Sequence, residues 1–314
     1  MILTVTLNPA LDLTWRVDRL IEGGTHRADA GAARAGGKGL NVARVAHAQG
    51  ADALAVTTIG GRVGKEFAAE LRASGVPHAL VPVAAETRRS IAVVDETLGD
   101  TTIINERGLN PTDPEWAALL AEVVERLPGA TVLVISGSLP PGAPDSLLPM
   151  LIAVGMDAGV PVIVDTSGPA LLRAADAGAT VLKPNAAELA EATGITDPVE
   201  GARSLIARGT ELVLLSLGAD GMLAVTASDL VHARLDEPLA GNPTGAGDAG
   251  VAACAALYAD GVRDPEQILR RATAWSAAAV LTPLAGDISP RWTELEQQLR
   301  VSHPDPASFR KDPS

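Results

Sequence analysis

Asn242-Pro243-Thr244-Gly245-Ala246-Gly247-Asp248 runs directly into Ala249-Gly250-Val251-Ala252-Ala253-Cys254-Ala255-Ala256-Leu257. The Gly-Ala-Gly run leaves backbone amides uncovered, because small residues let a ligand approach closely. The Ala-rich apolar stretch behind it reads as a helix, whose N-terminus gathers free N–H groups and a favourable macrodipole into an anion site. One carboxylate, Asp248, stands at the mouth of that site. An acid there serves either as a helix cap or as a general base aimed at a hydroxyl while the amides steady a phosphoryl group. The stretch alone leaves both readings open.

Outward from it, 314 residues leave room for one large α/β domain or two smaller ones. Hydrophobic residues make up 47% and aromatics only 2%, so the core must be built from Ala, Val and Leu. Such a core suits helices packed closely on a parallel sheet. A net charge of -13 with no basic tract argues against nucleic acid. A single cysteine, Cys254, excludes an internal disulfide framework and a multi-Cys zinc site, and its apolar helix makes it a small core filler. The sequence runs straight into the strand Met1 to Leu7, so no leader is expected, and no apolar run reaches membrane-spanning length. The expectation is a soluble cytoplasmic protein with neither a nucleic-acid nor a membrane partner.

Taken in order, strand Ile2 to Leu7 ends at Asn8-Pro9. Asp12 follows, a turn residue on its own evidence, then the alternating Leu13 to Val17. Residues 25–34 read as a second extended piece and contain Arg27. They lead into Gly36-Gly37-Lys38-Gly39-Leu40-Asn41-Val42-Ala43-Arg44, glycines followed by the first turn of a helix, without the ending of a Walker P-loop. Segments 90–95 and 101–105 alternate like a hairpin, with Arg88 at its head. Four extended pieces thus fall outside the main βα alternation. From Pro114 onward helices and strands alternate regularly. Polar or glycine-rich loops follow the strands: Ser136-Gly137-Ser138-Leu139-Pro140, Asp165-Thr166-Ser167-Gly168, Lys183-Pro184-Asn185-Ala186-Ala187-Glu188 and Ser216-Leu217-Gly218-Ala219-Asp220-Gly221. Ligands bind at those ends in open α/β sheets. Helices near 265–281 and 290–300 close the chain, and residues 302–314 read as a disordered tail. No repeat or linker divides residues 1–301, so one domain is the economical reading.

The 242–248 segment resembles the second signature of the PfkB/ribokinase family of carbohydrate kinases, (D/N)-x-x-G-(A/S)-G-D, and the Gly36–Ala43 segment resembles the first, G-G-(K/G)-(G/A)-x-N-x-A. The resemblance spans nearly the whole chain. It implies a ribokinase-like three-layer α/β/α sandwich in which the extended pieces near 12–34 and 88–106 form a small β-sheet lid. It implies Asp248 as base and Gly245, Ala246 and Gly247 as the anion hole. Asp12, Gly37 and Asn41 would bind the sugar, with Ser138 nearby. Lys183, Asn185, Ser216, Gly218, Gly221 and Gly247 would bind ATP, and Asn185 and Glu188 would organise Mg²⁺. Set against these, glycines in such loops also merely turn a chain, and a Pro-started helix often carries a surface Glu. Lids in this family often pair, which implies a homodimer.

Three cations point to the branch acting on phosphorylated sugars: Lys38 in the first signature, Arg88 opening a lid strand, and Arg27 in another lid piece. Singly each is a surface charge; together they can clamp a dianion. Leu7-Asn8-Pro9-Ala10-Leu11-Asp12 and Ile104-Asn105-Glu106 resemble the same branch, although Arg107 replaces the proline common after the latter. Gly250 and Ala253 also depart from its pattern, so the helix after Asp248 packs differently. The implied reaction is ATP-dependent phosphorylation of a ketohexose phosphate, fructose 1-phosphate first, with a tagatose-6-phosphate kinase or a 6-phosphofructokinase as the alternatives. A kinase of an unphosphorylated sugar and a non-catalytic sugar-phosphate sensor are the rivals.

Overall fold

The computed structural model describes residues 1–305. The chain opens with β1 (Ile2–Thr6), then β2 (Ala10–Val17), β3 (Ala32–Gly36), α1 (Lys38–Ala48), β4 (Ala53–Ile59), α2 (Gly61–Ser74) and β5 (His78–Pro82). Two further strands, β6 (Arg88–Asp95) and β7 (Asp100–Asn105), precede α3 (Asp113–Arg126). Regular alternation follows: β8 (Val132–Ser136), α4 (Leu147–Asp157), β9 (Val162–Asp165), α5 (Pro169–Asp176), β10 (Val181–Leu182), α6 (Ala186–Thr193), α7 (Pro198–Arg208) and β11 (Leu212–Ser216). The C-terminal part holds β12 (Met222–Val225), β13 (Leu230–Arg234), α8 (Ala246–Ala259), α9 (Pro265–Val280), α10 (Trp292–Gln298) and β14 (Arg300–Ser302).

Ten strands make one sheet in the order β14-β13-β12-β11-β10-β9-β8-β1-β4-β5. The central strands are buried on both faces, and their period of two shows it. Leu133 and Ile135 of β8 join one core cluster while Val132 and Val134 join the other; Val162 and Val164 of β9 split from Ile163 in the same way. One cluster holds side chains of α3, α4, α5 and α7, and the other those of α1, α8 and α9. Layers of helix, sheet and helix result. Helix α8 lies in the interior, with nine buried residues including Cys254. Its small side chains admit α9, since a Cβ on Gly250 would stand 2.6 Å from Ser276 Oγ. At that departure from the family pattern, the missing side chain sets the helix spacing.

The sheet is not parallel throughout. Strands β11, β10, β9, β8, β1, β4 and β5 run parallel, but β12, β13 and β14 extend the edge antiparallel. The hairpin β12–β13 and strand β14 were not anticipated. Strands of three to five residues carry too little periodicity to announce themselves, and they form by pairing with an edge already in place. Ser302 therefore belongs to β14, not to a tail, and residues 306–314 lie outside the described residues.

The second sheet has the order β3-β2-β6-β7, with β2 and β6 parallel and both outer pairs antiparallel. It contains all four extended pieces, but the piece expected at 25–34 is regular only at Ala32–Gly36. Arg34 clasps Asp287 through two hydrogen bonds of 2.9 and 2.8 Å, and Arg44 donates to the Ala35 carbonyl (3.1 Å), tying this lid to the sandwich.

Candidate active site

The chain adds β4 and β5 on one side of β1, then crosses to add β8, β9, β10 and β11 on the other. Such a reversal of winding leaves a crevice at the carboxyl ends of the strands. A cleft of about 1080 Å³ lies there, reaching from the lid to the start of α8. It is lined by Asp12, Gly37, Lys38, Asn41, Arg88, Ser138, Lys183, Asn185, Glu188, Ser216, Gly218 and Gly221, together with Gly245 to Asp248. Of the residues singled out above, Arg27 alone is excluded: it sits exposed in the loop between β2 and β3.

At the deep end, Gly245 takes a left-handed φ of 85°, and a Cβ there would come within 2.9 Å of Ala285. The turn therefore requires glycine. Ala246 N donates to the Pro243 carbonyl (3.1 Å), which removes it from the expected anion hole. The amides of Gly245, Gly247 and Asp248 make no hydrogen bond among the described residues and remain available to an anion. Asp248, the third residue of α8, makes no capping bond; its Oδ2 instead accepts Asn41 Nδ2 of α1 at 2.8 Å. Burial pushes its carboxyl up to about 7, against the lowering influence of Lys38. A carboxyl poised there is suited to take a proton near neutrality.

Asp165, at the end of β9, was not singled out beforehand. It is buried, accepts Ser136 Oγ (3.2 Å), and has Lys38 Nζ 3.4 Å from its Oδ2. Burial opposes its ionisation, but Lys38 and Lys183 overcome that and hold it below the usual carboxylate range. Asp165 in turn is the chief reason the Lys38 ammonium is held above its ordinary value. A lone Asp closing a Val-Ile-Val strand was the available signal. Lys38 also lies 3.7 Å from Glu188 Oε1. Its acidic neighbours are Asp165, Asp248 and Glu188, whereas those of Arg88 are Asp12 and Glu106. Lys38 therefore stands at the deep end, apart from Arg88, whereas the sequence led to the expectation of one clamp holding both.

Asn185 and Glu188 form a capping box at the start of α6: Glu188 N donates to Asn185 Oδ1 (2.8 Å) and Asn185 N to Glu188 Oε2 (2.9 Å). The helix-start reading thus holds for both, yet Glu188 Oε1 still faces the cleft. Lys183 is buried beside α8, where a Cβ on Gly247 would stand 3.2 Å from its Nζ. At the lid end, burial raises Asp12 to about 6, opposed by the charges of Arg88, Arg34 and Arg44. Arg88 Nε donates to the Asn8 carbonyl and its Nη1 to the Glu106 carbonyl, each at 3.2 Å. Asn8 Nδ2 lies 3.3 Å from Ser138 Oγ, so Asn8 belongs to this wall too.

Among the described residues no cluster of three or more His, Cys, Asp or Glu side chains can cage a metal, and no helix is long and apolar enough to cross a membrane.

The model of the pfkB family carbohydrate kinases matches residues 5–292. A 1-phosphofructokinase of Xanthomonas campestris pv. campestris is 36% identical over 297 residues, covering 92% of this chain and 93% of its own. A 1-phosphofructokinase of Haloferax volcanii is 39% identical over 277 residues, 85% of this chain and 87% of its own. The crystal structure of phosphofructokinase-2 from Escherichia coli in complex with potassium superposes with a TM-score of 0.88 at 30% identity, covering 94% of this chain and 98% of that one.

Proposed function

Since the chain belongs to the pfkB family of carbohydrate kinases and so transfers a phosphoryl group to a sugar alcohol, we propose that its acceptor is a ketohexose phosphate and its donor ATP. The observation that carries this reading is the polarity of the cleft. Arg88 of the lid stands at one end, while a poised carboxyl beside free amides stands at the other. A ketohexose in its furanose form projects its two terminal carbons to either side of the ring oxygen. Its phosphate then faces Arg88 while its free hydroxymethyl faces Asp248. Asp248 accepts the hydroxyl proton as the oxygen attacks, and the amides of Gly245, Gly247 and Asp248 steady the phosphoryl group in transfer. Lys183 and Lys38 offset charge on the donor phosphates, and Ser216, Gly218 and Gly221 shape the nucleotide wall. Asp12 and Asn41 are assigned to ring hydroxyls.

The residues at the deep end also fit Mg²⁺. Asp165 Oδ1 is buried without a hydrogen-bond partner, and Glu188 Oε1 faces the same space. One or two carboxylate oxygens suit an ion that keeps several waters and rests mainly on phosphates. Held by these residues, it would supply positive charge against the phosphates. Glu188 is the candidate ligand, and Asn185 orients it through the capping box.

Fructose 1-phosphate is the first choice of acceptor, supported by the names of the two curated relatives; tagatose 6-phosphate is second. A coupled kinase assay over a panel of hexose phosphates and free hexoses tests the reading. Turnover of fructose 1-phosphate well above free fructose is expected; equal turnover removes the phosphosugar assignment and leaves the kinase. The lid carries exposed Ile103 and Ile104, which support a homodimer through that sheet; a monomer by light scattering removes it.

A further inference from the structure

The lid end of the cleft holds a second guanidinium besides that of Arg88. Arg107 follows β7 in the segment that leaves the lid for the sandwich, and it lines the cleft beside Asn8 and Arg88. One hydrogen bond holds its backbone there, and two from Arg88 brace the residues around it. Asn8 Nδ2 donates to the Arg107 carbonyl (3.1 Å), and Arg88 donates to the carbonyls of Glu106 and Asn8. The Arg107 side chain is exposed and makes no hydrogen bond or ion pair among the described residues. Carboxylates outnumber Lys and Arg by 38 to 25 in this chain, so an arginine that lines a cleft without an ion pair stands apart, even with Glu106 as its chain neighbour.

Resting on the phosphosugar reading above, we propose that Arg107 and Arg88 together form the clamp for the acceptor's phosphate, with Arg107 as the specificity-determining member. Arg88 alone is poorly matched to a dianion. Its Nε and Nη1 are engaged by carbonyls, and its charge is already shared with Asp12 and Glu106. Lys38 is held by Asp165 and Glu188 at the other end, and Arg27 lies outside the cleft. Arg107 supplies the missing charge: an uncommitted fork of donors that matches phosphate geometry. In a chain of net charge -13, an uncompensated cation at the mouth also draws an anionic substrate against the general repulsion.

The test compares the wild-type enzyme with Arg107→Ala, Arg107→Gln and Arg107→Lys. Steady-state kinetics on fructose 1-phosphate, free fructose and ATP is paired with calorimetric binding of inorganic phosphate. Loss of a charge-assisted contact predicts a KM for fructose 1-phosphate raised by about tenfold or more, a KM for ATP moved far less, and partial rescue by Arg107→Lys. The preference for phosphorylated over free ketose should fall by the same factor, and phosphate binding should weaken in parallel. A KM for fructose 1-phosphate within about twofold of wild type in both neutral variants overturns the proposal. If the wild-type enzyme shows no preference for phosphorylated ketose, the phosphosugar reading itself fails. The phosphate titration then decides the clamp by itself: equal binding by wild type and Arg107→Ala overturns it, and weakened binding upholds it.

Discussion

Asp165 and Asp248 are both buried, both line the same cleft, and both feel Lys38 and Lys183, yet they titrate in opposite directions. Burial is the largest influence on each. At the end of β9 it is overcome, because Asp165 holds Lys38 Nζ at 3.4 Å and the Ser136 hydroxyl at 3.2 Å. At the start of α8 it prevails, because among the described residues Asp248 has only a neutral amide, that of Asn41, within hydrogen-bond reach. Each anion also disfavours the other. Depth therefore does not choose which acid titrates near neutrality; possession of the cation does. The acid that keeps the lysine is a fixed anion, and its neighbour is left to exchange a proton.

The largest effect that can break this contrast is on turnover. Asp248→Asn should lower kcat by about 10²–10⁴ while the circular dichroism spectrum and ATP binding stay near wild type. Near-normal turnover would make Asp248 a structural acid like Asp165. The pH profile comes next. Only ionised Asp248 accepts a proton, so kcat/KM should climb about tenfold per pH unit and level off above the Asp248 pKa of about 7. Lys38 lowers that pKa, so Lys38→Met should move the rising limb to higher pH; a limb that stays in place removes Lys38 from the contrast. A smaller change concerns the metal. Glu188→Gln should raise the Mg²⁺ concentration for half-maximal rate by about tenfold, and an unchanged titration would leave Glu188 as a helix-capping residue only.

The smallest expected effect is on stability, and its sign follows from linkage. A carboxyl raised in the folded state favours folding most below its unfolded pKa, and that advantage is lost as pH rises through the folded value. Wild-type protein thus carries the full burden of a buried Asp248 charge at pH 8 and only part of it at pH 5. Asp248→Asn relieves it. The Tm gain should be ~2 °C or more at pH 8 and smaller at pH 5; a loss at pH 8 would show that the charge is compensated.

The long alternating part was readable because each buried strand and each amphipathic helix carries its own period. Loop chemistry was readable as well: glycines and polar residues after successive strands mark a ligand-binding edge whatever the fold's details. What failed to show were elements defined by partners. Met222–Val225 and Leu230–Arg234 are strands because β11 presents an edge to them, and Arg300–Ser302 because β13 does. Arg27 looked like a lid cation because it is near lid strands in sequence, but strand β3 begins only at Ala32 and leaves it outside the cleft.

By itself the amino-acid order determined which residues could do chemistry: a glycine-rich helix start with its aspartate, a second one with lysine and asparagine, and a set of loops aligned at one edge of a sheet. Those are local facts, carried by backbone sterics and helix-terminus electrostatics within a few residues. Which acid pairs with which cation was decided only by tertiary structure. Lys38 and Asp165 are far apart in the chain, as are Asn41 and Asp248, and charge interactions fall off over a few ångströms whatever the sequence separation. The packing of α1 against α8 and of β9 against β8 sets those distances. It thereby leaves one carboxyl ionised and the other free to titrate.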